Sequence, residues 1–419
     1  MTQPLVPLTR RAMLTLATAF ALAPRGLAAE QAPGVAELDL LLKEGRYLPL
    51  LRYYQSQSST SAQWLTAQLA AMTGDEEGAY AVPAAAPVPV PDLTGCRAID
   101  AIETIVHAAR GRRIVILNEA HHASRCRAFA AELCRRLAGE GFNVFAAETF
   151  DNAQRPSAAA AALNTGAAVT AALGWYLADP VLADTVRAAR HLGYRFAAYE
   201  ARAAQIQGLS GEGEIEARED GEANNFIADI LEKDPKARAV VLCGYDHVLK
   251  ATDPNGRLWF AARLKAKTGI DPLCISQSWG LPQTTGDEAA LKAVLDNFSP
   301  TTPVILFDAH DRPLNPSRPG TVDVEVIHPR LAAVDGRPGW LAVMPGRKRA
   351  VFALTALAGS HDLIQAVPAS EAHAANAVPA DQYPLPLGAK EAVFYLADGA
   401  YEIRLETDDG RNVLGQLKV

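Results

Sequence analysis

The sequence predicts an α/β fold of three layers, αβα, around a mainly parallel sheet, with a helical hairpin before it and a small β element after it. Three observations carry this prediction. Between residues 95 and 345, short apolar runs alternate with helical stretches, the pattern of βαβ units. Four of those runs lead straight into chemistry-bearing residues: 114–117 into Glu119, His121 and His122, 142–147 into Glu148, 194–199 into Glu200, and 239–243 into Gly244, Tyr245 and His247. In parallel sheets ligands bind beyond the carboxyl ends of the strands, so these four endings mark one candidate crevice.

Taken in order, residues 1–29 read as a signal peptide. Arg10-Arg11 precede an apolar stretch through Ala23, and Leu27-Ala28-Ala29 offers a small-residue cleavage site. The paired arginines fit the twin-arginine type and predict a periplasmic or secreted protein. Residues 30–80 place Leu38, Leu41, Leu42, Trp64, Leu65 and Leu69 at helical spacing, predicting a hairpin that turns at 56–61. Residues 81–94 alternate Pro, Ala and Val as a semi-rigid linker. The α/β domain spans 95–345, with further strands at 272–276 and 303–307 and an edge strand at 321–327. Residues 346–388 read as a Pro/Ala-rich connecting segment. Residues 389–419, with apolar runs at 393–396 and 401–405 and a turn at Asp408-Asp409-Gly410, read as short antiparallel strands packed on the main domain.

The 419 residues carry a formal charge of −7; losing Arg10, Arg11 and Arg25 with residues 1–29 shifts it by three, to −10. An acidic chain without basic clusters points away from nucleic acid and anionic membranes. No stretch beyond the leader is apolar enough to span a bilayer. Five cysteines without a CxxC pair predict neither a zinc-thiolate centre nor a disulfide framework. The expected partner is a small-molecule or peptide substrate.

Glu119 and His122 fall in the turn before a helix starting near Ser124, where helix N–H groups favour a developing anion. A carboxylate that fixes a histidine tautomer makes a general base, and Glu119 with His122 has that form. His121 is the substrate-binding neighbour; the alternative for this pair is a helix cap. Glu148 ends a fully apolar strand and needs a partner or a proton. Glu200 has Arg202 two residues on as a structural partner. Gly244 lets the backbone approach a ligand beside Tyr245 and His247. On a helix around 212–232, Arg218, Glu222 and Asn225 share a face and can cover the crevice. Asp308 and His310 end another strand, as supporting groups or a turn cap. There is no GxSxG elbow, no HExxH helix and no GxGxxG turn. What remains suits water activation or metal ligation.

The segment 114–122, the following helix to Gly141-Phe142 and Ala147-Glu148 together resemble the opening of the erythromycin-esterase family. Residues 218–225 resemble its Arg-acid helix, and residues 244–247 its later histidine strand. That family belongs to a broader group with Tiki-type metalloproteases and ChaN-like haem-binding lipoproteins. The resemblance implies a site of Glu119, His122, Glu148 and His247, with His122 or Glu148 as base, and no required cofactor. It also implies two alternatives: a divalent metal held by His122, His247, Glu119 and Glu148, or a haem with His or Tyr245 as axial ligand. Asn118 and Ala123 depart from the family's glycines, and Glu222 stands where it favours Met. The leading expectation is a hydrolase of ester or related acyl bonds.

Overall fold

The computed structural model describes residues 35–82, 87–283, 286–354 and 362–419, so the leader read at 1–29 lies outside the described residues. Nine strands build the central sheet: β1 (Arg97–Asp100), β2 (Ile114–Glu119), β3 (Val144–Ala147), β4 (Arg195–Ala197), β5 (Ala239–Gly244), β6 (Leu273–Gly280), β7 (Val304–Phe307), β8 (Pro313–Leu314) and β9 (Val324–Ile327). Their order is β1-β7-β9-β6-β2-β5-β3-β4, with β8 on β7. Strands β2, β5, β3 and β4 are adjacent and parallel, so the four predicted endings meet at one edge.

Every residue of β2 and β5 is buried, as strands covered on both faces require. Successive residues serve opposite layers. Val115, Leu117, Phe145 and Val240 join a core with helices Ala101–Ala109, Ser124–Ala138 and Pro180–His191. Ile114, Ile116, Val144 and Val241 join another with helices Gly211–Phe226 and Phe260–Thr268. The fold is the three-layer α/β arrangement.

Several elements differ from the sequence reading. β9 is interior, between β7 and β6, because β7 runs antiparallel and continues the sheet beyond it. The antiparallel sense of β7 also carries Asp308 and His310 to the opposite edge, where Asp308 accepts the backbone N–H groups of His310 (2.8 Å) and Arg312 (3.0 Å) as a turn cap. The N-terminal hairpin is three helices, Val35–Lys43, Leu48–Gln55 and Thr60–Met72, with a short turn Glu76–Ala79. Gly45 at φ +73° ends the first, and Pro49 starts the second.

The segment read as a connector contributes β10 (Lys348–Ala353), β11 (Leu363–Pro368) and β12 (Asp381–Pro384). With β13 (Glu391–Leu396), β14 (Ala400–Thr407) and β15 (Gly410–Lys418) they form a β10-β13 pair and a β12-β11-β14-β15 sheet around Ile364, Phe394 and Ile403. This β element packs on the N-terminal helices: Leu363 shares a core with Leu42 and Met72, and buried Glu406 accepts the N–H groups of Tyr47 (2.9 Å) and Leu48 (3.1 Å). Among the described residues, no helix is long and apolar enough to cross a membrane.

Candidate active site

Glu119 closes β2 directly opposite Gly244 of β5. Its carboxylate accepts Arg127 Nε (2.9 Å), Arg127 Nη2 (2.6 Å) and a hydrogen bond with His121 Nδ1 (3.0 Å). Arg127 is fully buried, pairs with Asp179 at 2.7 Å and donates to the carbonyl of His121 at 3.1 Å. Burial alone would raise the Glu119 carboxyl, but the Arg127 charge and the His121 bond outweigh it and hold the group below its ordinary range. With Nδ1 tied to the carboxylate, Nε2 carries the imidazole's free lone pair. Tyr176 stacks on the ring at 4.0 Å and 14°. A Cβ on Gly244 would lie 2.4 Å from Nε2 of His121 and 3.2 Å from Oε2 of Glu148, so the missing side chain is what lets both groups reach one spot.

Glu148 follows β3 and accepts Gly244 N–H (2.6 Å) and Arg218 Nη2 (2.8 Å). Burial works against its charge, yet His247, Arg218 and His121 hold its carboxyl well below the usual range. Glu200 accepts Arg218 Nε (2.9 Å) and Nη2 (2.6 Å), and burial, opposed by Arg218, pushes it up to about 7. Its partner is therefore Arg218 rather than Arg202, whose guanidinium turns to Asn225 and lies 3.8 Å from Asp229. His247 sits in the short turn after β5, with Nδ1 2.9 Å from Glu219 and Nε2 3.0 Å from Arg218 and 3.8 Å from Glu148. Burial disfavours its charge, but Glu219, Glu222 and Glu148 push its pKa well up. When the ring is neutral, the Arg218 contact needs a lone pair on Nε2, so its one proton then sits on Nδ1.

His122 departs from its expected place. Glu119 orients His121, and the imidazole of His122 turns the other way, onto Trp64 (5.5 Å) and Tyr80 (5.9 Å), with Nδ1 3.3 Å from the Tyr245 hydroxyl. The reason is local: the chain turns sharply after β2, so residues 119 and 121 fall together and 122 faces the N-terminal helices. There it lines a cleft with Met72, Tyr80, Ser124 and Trp340. Burial pushes its pKa down to about 4. The unfolded chain then binds a proton near pH 6.5 that the fold rejects until about 4, so this contribution is complete above pH 6.5 and is lost as pH falls towards 4. The expected size is about 3 kcal/mol. Denaturation midpoints of wild type and His122→Phe, compared from pH 7 to pH 4.5, should show a shallower acid slope in the variant. Identical slopes would rule the contribution out.

Tyr245 takes a left-handed backbone at φ +34°, and its carbonyl accepts Asn118 Nδ2 at 2.6 Å. Asn118 also accepts Gln277 N–H at 2.7 Å, so the departure from glycine fastens the end of β2 to β5 and β6. Asn225 is 1 % exposed and donates to the carbonyls of Tyr199 (3.2 Å) and Glu200 (2.9 Å); it braces the backbone rather than lining the crevice. Sequence reasoning passed over Arg127, Asp179 and Glu219. An arginine on the apolar face of helix Ser124–Ala138 was the available signal for the first.

No family model matches the chain, and no curated protein does. Among solved structures, an erythromycin esterase mutant in its open conformation aligns over 73% of this chain and 98% of its own, at 12% identity and a TM-score of 0.34. The type III effector HopBA1 aligns over 56% of this chain and 96% of its own, at 14% identity and a TM-score of 0.34. RRSP, a MARTX toxin effector domain from Vibrio vulnificus, aligns over 45% of this chain and 38% of its own, at 20% identity and a TM-score of 0.29. The chain spans 37% of the length of a further match, a structure of bacterial protein toxins. The chemistry of the site rests on its own geometry.

Proposed function

We propose that this chain is an exported hydrolase that uses His121 as general base to cleave an ester or related acyl bond. The observation that carries this reading is the Arg127–Glu119–His121 chain. A carboxylate locked by a buried guanidinium fixes the imidazole tautomer and leaves Nε2 open beside Gly244. His121 takes a proton from water placed near Gly244. Glu148 helps hold that water, and Arg218 and His247 supply positive potential where the oxyanion develops. Glu200 neutralises part of the Arg218 charge and keeps its guanidinium in place. Export is proposed from Arg10-Arg11 and the apolar run after them.

A panel of acyl esters, lactones and short peptides tests the reading on purified protein with its absorbance spectrum recorded. Turnover that Glu119→Gln suppresses supports it. A Soret band with no turnover of any substrate would move the site to ligand binding.

A further inference from the structure

Four carboxylates, Glu148, Glu200, Glu219 and Glu222, surround the single guanidinium of Arg218 and the ring of His247. Glu219 and Glu222 are 0 % exposed, and a buried surplus of negative charge needs protons or a cation. Neither oxygen of Glu222 makes a hydrogen bond; Arg218 Nη2 and His247 Nδ1 lie 3.1 and 3.4 Å away as ion contacts only. Glu219 accepts Phe260 N–H (2.8 Å) and His247 through Oε2, while its Oε1 has no hydrogen-bond partner. One atom from each of Glu219, Glu222 and His247 lies within 4.8 Å of the other two, and they are the one such trio among the described residues.

We infer that Glu219, Glu222 and His247 form a binding site for one divalent transition-metal cation. The donors are two carboxylate oxygens and His247 Nδ1, a set that suits zinc or manganese better than calcium, which prefers oxygen alone. Three protein ligands leave a coordination position open. Loading exchanges the tautomer of the neutral His247 ring: its one proton moves from Nδ1 to Nε2 by exchange with solvent, and Nδ1 binds the cation through the lone pair so freed. Glu148 Oε1, 3.8 Å from Nε2, is placed to accept that N–H, the usual outer partner of a metal-bound imidazole. Arg218 then leaves Nε2 and keeps Glu148 and Glu200. Glu222 is the decisive residue, since its carboxylate has no other hydrogen-bonding role. The site departs from the ligand set expected from the sequence, because Glu119 and His122 face other partners.

The inference stands apart from the hydrolase reading, because its test reads binding. Chelator-treated, untagged protein titrated with Zn²⁺ and, separately, Mn²⁺ should take up one equivalent in a saturable isotherm. Glu222→Gln should weaken that binding by about 100-fold or more. Glu200→Gln, which alters a group held by Arg218 and the Ala201 N–H and outside the trio, should keep it. Zinc-edge absorption of the loaded wild type should show an N/O shell with one imidazole and no sulfur, a readout that survives any folding defect of the variants. No saturable uptake by the wild type, uptake unchanged in Glu222→Gln, or a thiolate in the shell would overturn the assignment.

Discussion

Replacing His121 by Ala should lower kcat/KM on any acyl substrate found by 10²- to 10⁴-fold, the usual range for a lost general base. The same change at His122 should leave it within about tenfold, because His122 faces Trp64 and Tyr80 and does not reach Glu119. The two residues are chain neighbours, so the contrast separates chemistry from general damage. The loss at His121 corresponds to about 3–5 kcal/mol of transition-state stabilisation. Should His122→Ala instead abolish turnover while His121→Ala retains it, the base assignment falls. Glu119→Gln provides a second check: an amide can still accept from Nδ1 but cannot stabilise the imidazolium, so it should reduce rate with little change in KM.

Arg127→Met should be the most destabilising single change in the site, by about 3–5 kcal/mol. The guanidinium is wholly buried and pairs with Glu119 and Asp179. Methionine keeps the packing volume but leaves two buried carboxylates without their cation. Chemical denaturation followed by circular dichroism measures the effect. A shift below about 1 kcal/mol, the scale of an exposed pair such as Arg135–Glu132, would show that the carboxylates find other compensation.

The sheet was legible because its strands announce themselves. The runs at 114–117 and 239–243 are apolar without interruption, which is what burial on both faces demands, and each ends in residues that belong at a sheet edge. β1, β10 and β11 were not legible. Arg97–Asp100 is half-exposed, and the Pro/Ala-rich surroundings of Leu363–Pro368 hide a six-residue strand whose partners lie far along the chain. In the site, the identity of the groups at the four strand ends could be read, but the pairing could not. Whether Glu119 meets His121 or His122 depends on one tight turn, and nothing in the composition of Ala120-His121-His122 decides it. Likewise Glu200 had Arg202 nearer in sequence, while a helix packed across the crevice brought Arg218 nearer in space. Glu219 looked like one more acid on a charged helix; its partners are the Phe260 N–H and His247, which periodicity within one segment cannot reveal.

The packing of the C-terminal β element on the N-terminal helices has a consequence for the order of folding. Leu42 and Met72 from the first helices share their core with Leu363 of β11, and Glu406 of β14 holds the backbone at Tyr47 and Leu48. Contacts across roughly three hundred residues or more form late, because loop closure must come before they contribute. Ile327, the last residue of the central sheet, stands 36 residues before Leu363 of β11, so every strand of that sheet precedes β11 and β14 in the chain. The edge that carries Glu119, Glu148 and His247 therefore precedes in the chain the strands that fasten the N-terminal helices, and the docking of those helices waits for the end of the chain.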